Sequence, residues 1–125
     1  LNGVGSSVWV ADETQLDAVT AVSGSGPAYY FLLMESMVAS AQALGLDAET
    51  SRKLVVETAK GAALMACEPN ADPQTLRRNV TSPGGTTEAA LRGMQEQGLS
   101  ATVDNALKAA KNRAETLALE FGSDA

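Results

Sequence analysis

Residues 27–44 form the stretch that most constrains how this chain can fold. They are predicted to be helical, their only charged residue is Glu35, and Gly45 follows as a stop signal. A helix that is apolar all round has to be buried on more than one side. Its most apolar part, residues 28–34, is far too short to span a bilayer. We therefore expect other helices to cover it from several directions, in a domain that is an obligate homodimer.

Most of the remaining sequence is predicted to be helical as well. Asp12, Ser25, Asp47 and Ser100 are candidate helix N-caps, and Pro27 suits a first helical position. These signals, with the apolar periodicity between them, predict helices that extend to about residues 22, 44, 67, 79, 97 and 121. Alanine-rich helix faces favour close packing. The sequence thus predicts an all-α fold of about six interlocked helices.

The exception is a short segment near the start of the sequence. Residues 7–11, SVWVA, have the β-branched and aromatic content of a strand, and no other segment offers that strand a partner. We interpret residues 1–11 as the tail of a further domain and residues 12–125 as the helical domain. The glycine pairs at residues 3–5 and 24–26 lack the third glycine of a dinucleotide-binding fingerprint.

Charge and cysteine content exclude several classes of function. The formal net charge of −6 and the absence of a basic patch argue against nucleic-acid binding. The positive pair at residues 77–78 is interpreted as a solvated helix face, with steering of an acidic substrate as the alternative. The chain has no histidine and a single cysteine, Cys67, which argues against a metal site and excludes an internal disulfide. We expect Cys67 to be a small core residue and the protein to be cytoplasmic, without a membrane partner.

A glycine turn directly ahead of a predicted helix, VTSPGGTTEAAL at residues 80–91, is the main candidate for a binding site. Pro83 and the two glycines that follow it allow a close backbone approach. Thr86 or Thr87 is a natural N-cap, and the helix directs free N–H groups and its positive dipole end toward the turn. The segment therefore suits a carboxylate or phosphate, although a helix cap without any ligand explains the same residues.

Two blocks of this sequence resemble pyrroline-5-carboxylate reductase. Residues 76–91 are similar to the signature of that family, and DAVTAVSGSGPAY at residues 17–29 is similar to the entry to the long helix of its C-terminal dimerisation domain. The resemblance covers the chain from about residue 8 onward. The second block alone is less specific, because related β-hydroxyacid and phosphogluconate dehydrogenases carry similar Gly-Pro helix entries.

The resemblance implies a reductase that converts 1-pyrroline-5-carboxylate to proline with NADPH or NADH, in which an N-terminal Rossmann-type domain holds most of the cofactor. The glycine turn then binds the substrate carboxylate through backbone N–H groups and hydroxyls, and Thr87 lies near the ring nitrogen as the catalytic residue. Family members often carry alanine at the position of Thr86. The substrate-binding residues implied are Ser82, Gly84, Gly85, Thr86 and Thr87.

By this interpretation the chain alone is inactive, and it supplies substrate binding and dimerisation to the complete enzyme. Two alternatives remain open at this point. One is a helical self-association module whose glycine turn is purely structural, and the other is the C-terminal half of a different imine or hydroxyacid reductase. Tyr29 and Tyr30 either line a pocket or, as is more usual on so apolar a helix, belong to the core.

Overall fold

A computed structural model describes residues 12–122, and within that range the chain contains six α-helices and one π-helical segment but no strand. This confirms the all-helical prediction, whereas the strand predicted at residues 7–11 lies outside the described residues. The helices are α1 (Glu13–Val19), α2 (Gly26–Ala43), α3 (Ala48–Ala66), α4 (Pro73–Asn79), α5 (Thr86–Glu96) and α6 (Leu99–Gly122), and the π-helical segment is Thr20–Gly24.

The chain divides into two compact units. One unit comprises Leu1–Phe31 and Gly98–Ala125; in its described part, α1 and the π-helical segment pack against α6. The other unit is Leu32–Gln97, in which α3 contacts α4. Helix α2 contributes its first residues to the former and its remaining residues to the latter.

Three aspartates set the starts of helices. Asp12 accepts a hydrogen bond from the backbone N–H of Gln15, and Asp47 accepts one from Thr50 at 2.7 Å. Both N-caps agree with the sequence prediction, and Asp72 caps α4 in the same way through the N–H of Thr75. The N–H and hydroxyl of Thr50 hold the pKa of the Asp47 carboxyl below its ordinary value.

Glycine ends or separates helices where the sequence predicts it, but the two serine caps are wrong. Gly45 and Gly98 have φ angles of 109° and 85°, which side chains other than glycine rarely adopt. The carbonyl of Gly98 accepts a hydrogen bond from the N–H of Thr102, so α6 already begins at Leu99 and Ser100 lies inside it. Ser25 has right-handed helical backbone angles instead of the extended conformation of an N-cap.

The first helix does not end where the sequence predicts an end. Its last turns widen into the π-helical segment, in which Ser25 N–H bonds to the carbonyl of Thr20 at 2.9 Å. The wider turn frees the carbonyl of Ala21, which accepts a hydrogen bond from the Tyr29 hydroxyl at 2.7 Å. Tyr29 is half-buried and thus structural in this chain, whereas the neighbouring Tyr30 is exposed.

The described residues bury very little apolar surface within one chain. Ala21 and Val55 are the buried hydrophobic residues in this range, while Tyr30, Phe31 and Leu32 on α2 are 66%, 64% and 64% exposed. Cys67, predicted to be a core residue, is exposed just after α3, because its apolar sequence neighbours are themselves exposed. None of the described helices has the length and hydrophobicity that a membrane span requires.

Candidate functional site

The approach to the glycine turn is fixed by the end of α4. The backbone N–H of Thr81 bonds to the carbonyl of Arg78 at 3.2 Å, and the Thr81 hydroxyl donates to the carbonyl of Arg77. Thr81 thus adds hydrogen bonds to the carbonyls of Arg77 and Arg78 at the end of α4, which the N–H of Val80 also contacts. Its hydroxyl is committed to the helix end rather than to a ligand.

The turn itself closes over four residues. Gly85 N–H bonds to the carbonyl of Ser82 at 3.1 Å, with Pro83 in the second position and Gly84 in the third. Gly84 has a φ angle of 74°, as the third residue of a type II turn requires. A Cβ atom on Gly85 would lie 3.3 Å from the Ser82 carbonyl oxygen. Each glycine therefore meets a separate geometric demand of the turn.

Helix α5 begins at Thr86, so neither Thr86 nor Thr87 is its N-cap, and that prediction is wrong. Gly85 occupies the cap position with extended backbone angles and offers no side chain to the helix end. Among residues 12–122, no group accepts a hydrogen bond from the backbone N–H of Thr86 or Thr87. Both donors remain open at the positive end of the helix dipole, where an anion is most favoured.

Glu88, in the first turn of α5, was not singled out by the sequence. Its Oε1 atom accepts a hydrogen bond from the N–H of Gly84 at 3.2 Å and another from the Arg92 guanidinium at 3.3 Å. The spacing of four residues between Glu88 and Arg92 is the usual one for an ion pair along a helix and was the signal available in the sequence. The bond to Gly84 depends on the turn geometry and had no such signal.

The residues predicted to bind the substrate carboxylate therefore have different hydrogen-bonding capacity. The N–H groups of Gly84 and Gly85 are already bonded within the chain. The N–H groups of Thr86 and Thr87 are open, and the hydroxyls of Ser82, Thr86 and Thr87 also have no partner among the described residues. The arrangement can bind a carboxylate at the start of α5, with the glycines shaping the turn.

A separate open cleft of about 290 Å³ lies between α4 and α5. Three of its side chains are arginines, and the only acidic one is Glu88, which is paired with Arg92. None of the five residues predicted for substrate binding lines this cleft. It is lined by Arg77, Arg78, Thr81, Glu88, Leu91, Arg92 and Gln95.

Comparison with protein families gives a match over most of the chain. The family described as pyrroline-5-carboxylate reductase dimerisation matches residues 13–117. Among curated relatives, the pyrroline-5-carboxylate reductase of Pseudomonas aeruginosa is 52% identical over 98% of this chain, and that of Haemophilus influenzae is 45% identical over 97%. In both cases this chain spans 45% of the relative's length.

Solved structures show the same similarity in three dimensions. A pyrroline-5-carboxylate reductase from Coxiella burnetii superposes with a TM-score of 0.84 at 46% identity, over 88% of this chain and 41% of the other. The Plasmodium falciparum pyrroline carboxylate reductase, whose structure has NADP bound, superposes with a TM-score of 0.80 at 36% identity. That match covers 85% of this chain and 40% of the other.

Proposed function

Because the chain belongs to the pyrroline-5-carboxylate reductase dimerisation family, we propose that it is the substrate-binding and dimerisation part of an enzyme that reduces 1-pyrroline-5-carboxylate to proline with NADPH or NADH. The observation that carries the proposal is the uncapped start of α5. There, the backbone N–H groups of Thr86 and Thr87 and three hydroxyls have no hydrogen-bond partner among residues 12–122, next to a turn that is shaped by glycine.

The substrate carboxylate binds at the N–H groups of Thr86 and Thr87 in this proposal. A carboxylate at an uncapped helix start satisfies orphan donors and interacts favourably with the helix dipole. Gly85 helps because a side chain there would press against the carbonyl of Ser82 and open the turn. Gly84 and Gly85 therefore act through the shape of the turn, while Ser82 adds a hydroxyl beside it.

Thr87 is the proposed catalytic residue. With the carboxylate held by backbone groups, the Thr87 hydroxyl is free to hydrogen-bond the ring nitrogen of the substrate, since no described residue already engages it. Holding the ring at two points fixes the imine carbon in one orientation, and such positioning lowers the barrier to reaction. Little further acid–base chemistry is needed from a chain without histidine.

The described residues carry no dinucleotide-binding fingerprint. The glycine pair at residues 24–26 lies where the π-helical segment passes into α2, not in a turn between a strand and a helix. We assign the nicotinamide cofactor mainly to an N-terminal domain of the complete enzyme. The relatives are more than twice as long as this chain, which leaves room for such a domain.

A second copy of this chain is the proposed partner. Helix α2 exposes large hydrophobic side chains within one chain, including Phe31, Leu33 and Met37. Several exposed large apolar side chains on one helix are typical of obligate interfaces, which resemble a domain core cut in two. The family is named for dimerisation, and homodimerisation supplies the cover that α2 lacks.

Activity and assembly of two purified proteins test the proposal together. The complete enzyme should oxidise NADPH or NADH in the presence of 1-pyrroline-5-carboxylate, whereas residues 12–125 alone should not, although both sediment as dimers or larger assemblies. If the complete protein assembles but does not reduce the imine, the interpretation as a self-association module would be favoured instead. Turnover of a hydroxyacid or another imine in its place would identify a different reductase.

A further inference from the structure

We propose that Glu88 is a positioning residue: it holds the glycine turn in the conformation that receives the substrate carboxylate, and Arg92 neutralises its charge. This inference rests on the proposed function of the turn. It concerns a side chain that contributes no group to the substrate in that proposal. It rests on the position of Glu88 Oε1, which accepts hydrogen bonds both from the N–H of Gly84 in the glycine turn and from the Arg92 guanidinium, four residues further along α5.

The hydrogen bond from Gly84 to Glu88 restrains the most unusual residue of the turn. Gly84 has a φ angle of 74°, and in this conformation its N–H lies 3.2 Å from Glu88 Oε1. The other internal bond of the turn, from Gly85 N–H to Ser82, closes the turn on itself. Glu88 therefore adds a side-chain attachment between Gly84 and α5, beside the backbone bond from the N–H of Ala89 to the carbonyl of Gly85.

Placing a carboxylate beside a carboxylate-binding site requires a compensating charge. An acidic residue in the first turn of a helix is favoured by the dipole, but it also repels an incoming anion. Arg92 bonds to the same Oε1 atom at 3.3 Å and so offsets that repulsion. The pair holds the turn without adding net charge near the open N–H groups of Thr86 and Thr87.

A rival role for Glu88 predicts the opposite effect on substrate affinity. If the substrate carboxylate binds to the N–H of Gly84, then Glu88 competes with it for that donor. Removing the Glu88 carboxylate would then lower KM. If Glu88 positions the turn, its removal raises KM, because the turn samples conformations that no longer direct the substrate to α5.

Steady-state kinetics of the complete enzyme separate these roles. Glu88→Ala should raise KM for 1-pyrroline-5-carboxylate by about threefold to tenfold, as expected for one lost hydrogen bond, with kcat within about twofold of the original. Glu88→Gln keeps the acceptor for Gly84 and should restore most of the affinity. The matched control is Asp104→Ala, which removes the exposed pair with Lys108 on α6 and should leave KM unchanged.

Amide hydrogen exchange at Gly84 provides a readout that does not depend on activity. Exchange should be about tenfold faster in Glu88→Ala than in the original protein or in Glu88→Gln, because the N–H loses its acceptor. Equal exchange in the original protein and Glu88→Ala would overturn the positioning role, even if the enzyme proved inactive toward the imine. An unchanged or lowered KM in Glu88→Ala of an active enzyme would overturn it too.

Discussion

Helix α2 and the start of α5 are both incomplete within one chain, and what each lacks is different. Helix α2 lacks cover for side chains such as Tyr30, Phe31 and Leu32, about two-thirds of whose surface is exposed. The start of α5 lacks acceptors, within the part of the chain that the structure describes, for the N–H groups of Thr86 and Thr87. Helix α2 therefore needs a large apolar surface to cover it, whereas the start of α5 needs an acceptor placed in the direction of its N–H groups.

The difference determines which partner can complete each region. Burial of apolar surface stabilises by about 25 cal/mol for each Å² removed from water, almost regardless of the geometry of contact. Only another large apolar surface can therefore cover α2. Two N–H groups at a helix start need an acceptor of the right size and charge, and a single carboxylate meets that need. In this account, dimerisation completes α2 and the substrate completes α5.

Removing cover from α2 should have the largest effect. Leu33→Asp introduces a charge into the proposed interface, where an unpaired buried charge costs roughly 3–5 kcal/mol. We expect the dimer to dissociate or unfold at micromolar concentration, as measured by analytical ultracentrifugation with circular dichroism. Lys53→Glu adds negative charge at an exposed charged position of α3 and should leave the assembly intact. A folded monomer of the unmodified chain would contradict the proposed dimer.

Removing the hydroxyl of Thr87 tests α5 without touching the carboxylate site. Thr87→Ala in the complete enzyme should mainly lower kcat, by about tenfold to a hundredfold, since a hydrogen bond to a charged group contributes roughly 1.5–3 kcal/mol. Thr86→Ala is the matched control and should change little, because only the backbone N–H of that residue is used. Normal kinetics in Thr87→Ala would show that the catalytic role is wrong.

Distorting the turn should act on KM rather than on kcat. Gly85→Val places a Cβ 3.3 Å from the Ser82 carbonyl oxygen, and overpacking of this kind typically costs roughly 1–3 kcal/mol. KM for the imine should rise by about fivefold to a hundredfold. Gly61→Ala is the control, since a Cβ there meets no atom within 4 Å. If Gly85→Val leaves KM unchanged, the turn does not shape the binding site.

The start of α3 is capped within the chain, so removing its cap should have the smallest effect. At the start of α3 the Asp47 carboxylate accepts a helix N–H, whereas the start of α5 has no side-chain cap. Its bonds to Thr50 lower the pKa of the Asp47 carboxyl. Because the pKa of Asp47 is lower in the folded protein, the charged cap stabilises the fold at pH values above the ordinary pKa of 3.8. This stabilisation is lost as the pH falls through the pKa of the folded protein.

The corresponding measurement is a pH series of melting temperatures. Asp47→Ala should melt at a slightly lower temperature than the original protein near pH 7, and the difference should shrink as the pH falls below 3.8. KM should not change, because the α3 start binds no substrate. If the difference in melting temperature were the same at every pH, the stabilisation by the Asp47 cap would not depend on the charge of its carboxyl group.

Local patterns account for the parts of the fold that the sequence predicted correctly. An aspartate that caps a helix bonds to an N–H three residues away, so Asp12 and Asp47 were recognisable from their immediate neighbours. The fold family was recognisable because the glycine turn and the Gly-Pro helix entry are specific in combination.

Two of the errors, the predicted caps of α5 and α6, share a physical cause, which is competition between residues for the same helix boundary. At the starts of α5 and α6 a glycine supplied the turn and moved the helix start ahead of the hydroxyl residue that was predicted to cap it. Cys67 was misplaced because an apolar neighbourhood indicates burial only when a core forms within the chain. Glu88 was missed because its bond to Gly84 exists only in the folded turn.

Carboxylate binding at the start of α5 is tested most directly by a crystal structure of the complete enzyme with L-proline bound. We expect the proline carboxylate to accept hydrogen bonds from the N–H groups of Thr86 and Thr87, at about 2.7–3.2 Å, with the ring nitrogen near the Thr87 hydroxyl. A carboxylate bound instead among Arg77, Arg78 and Arg92, in the cleft between α4 and α5, would contradict it.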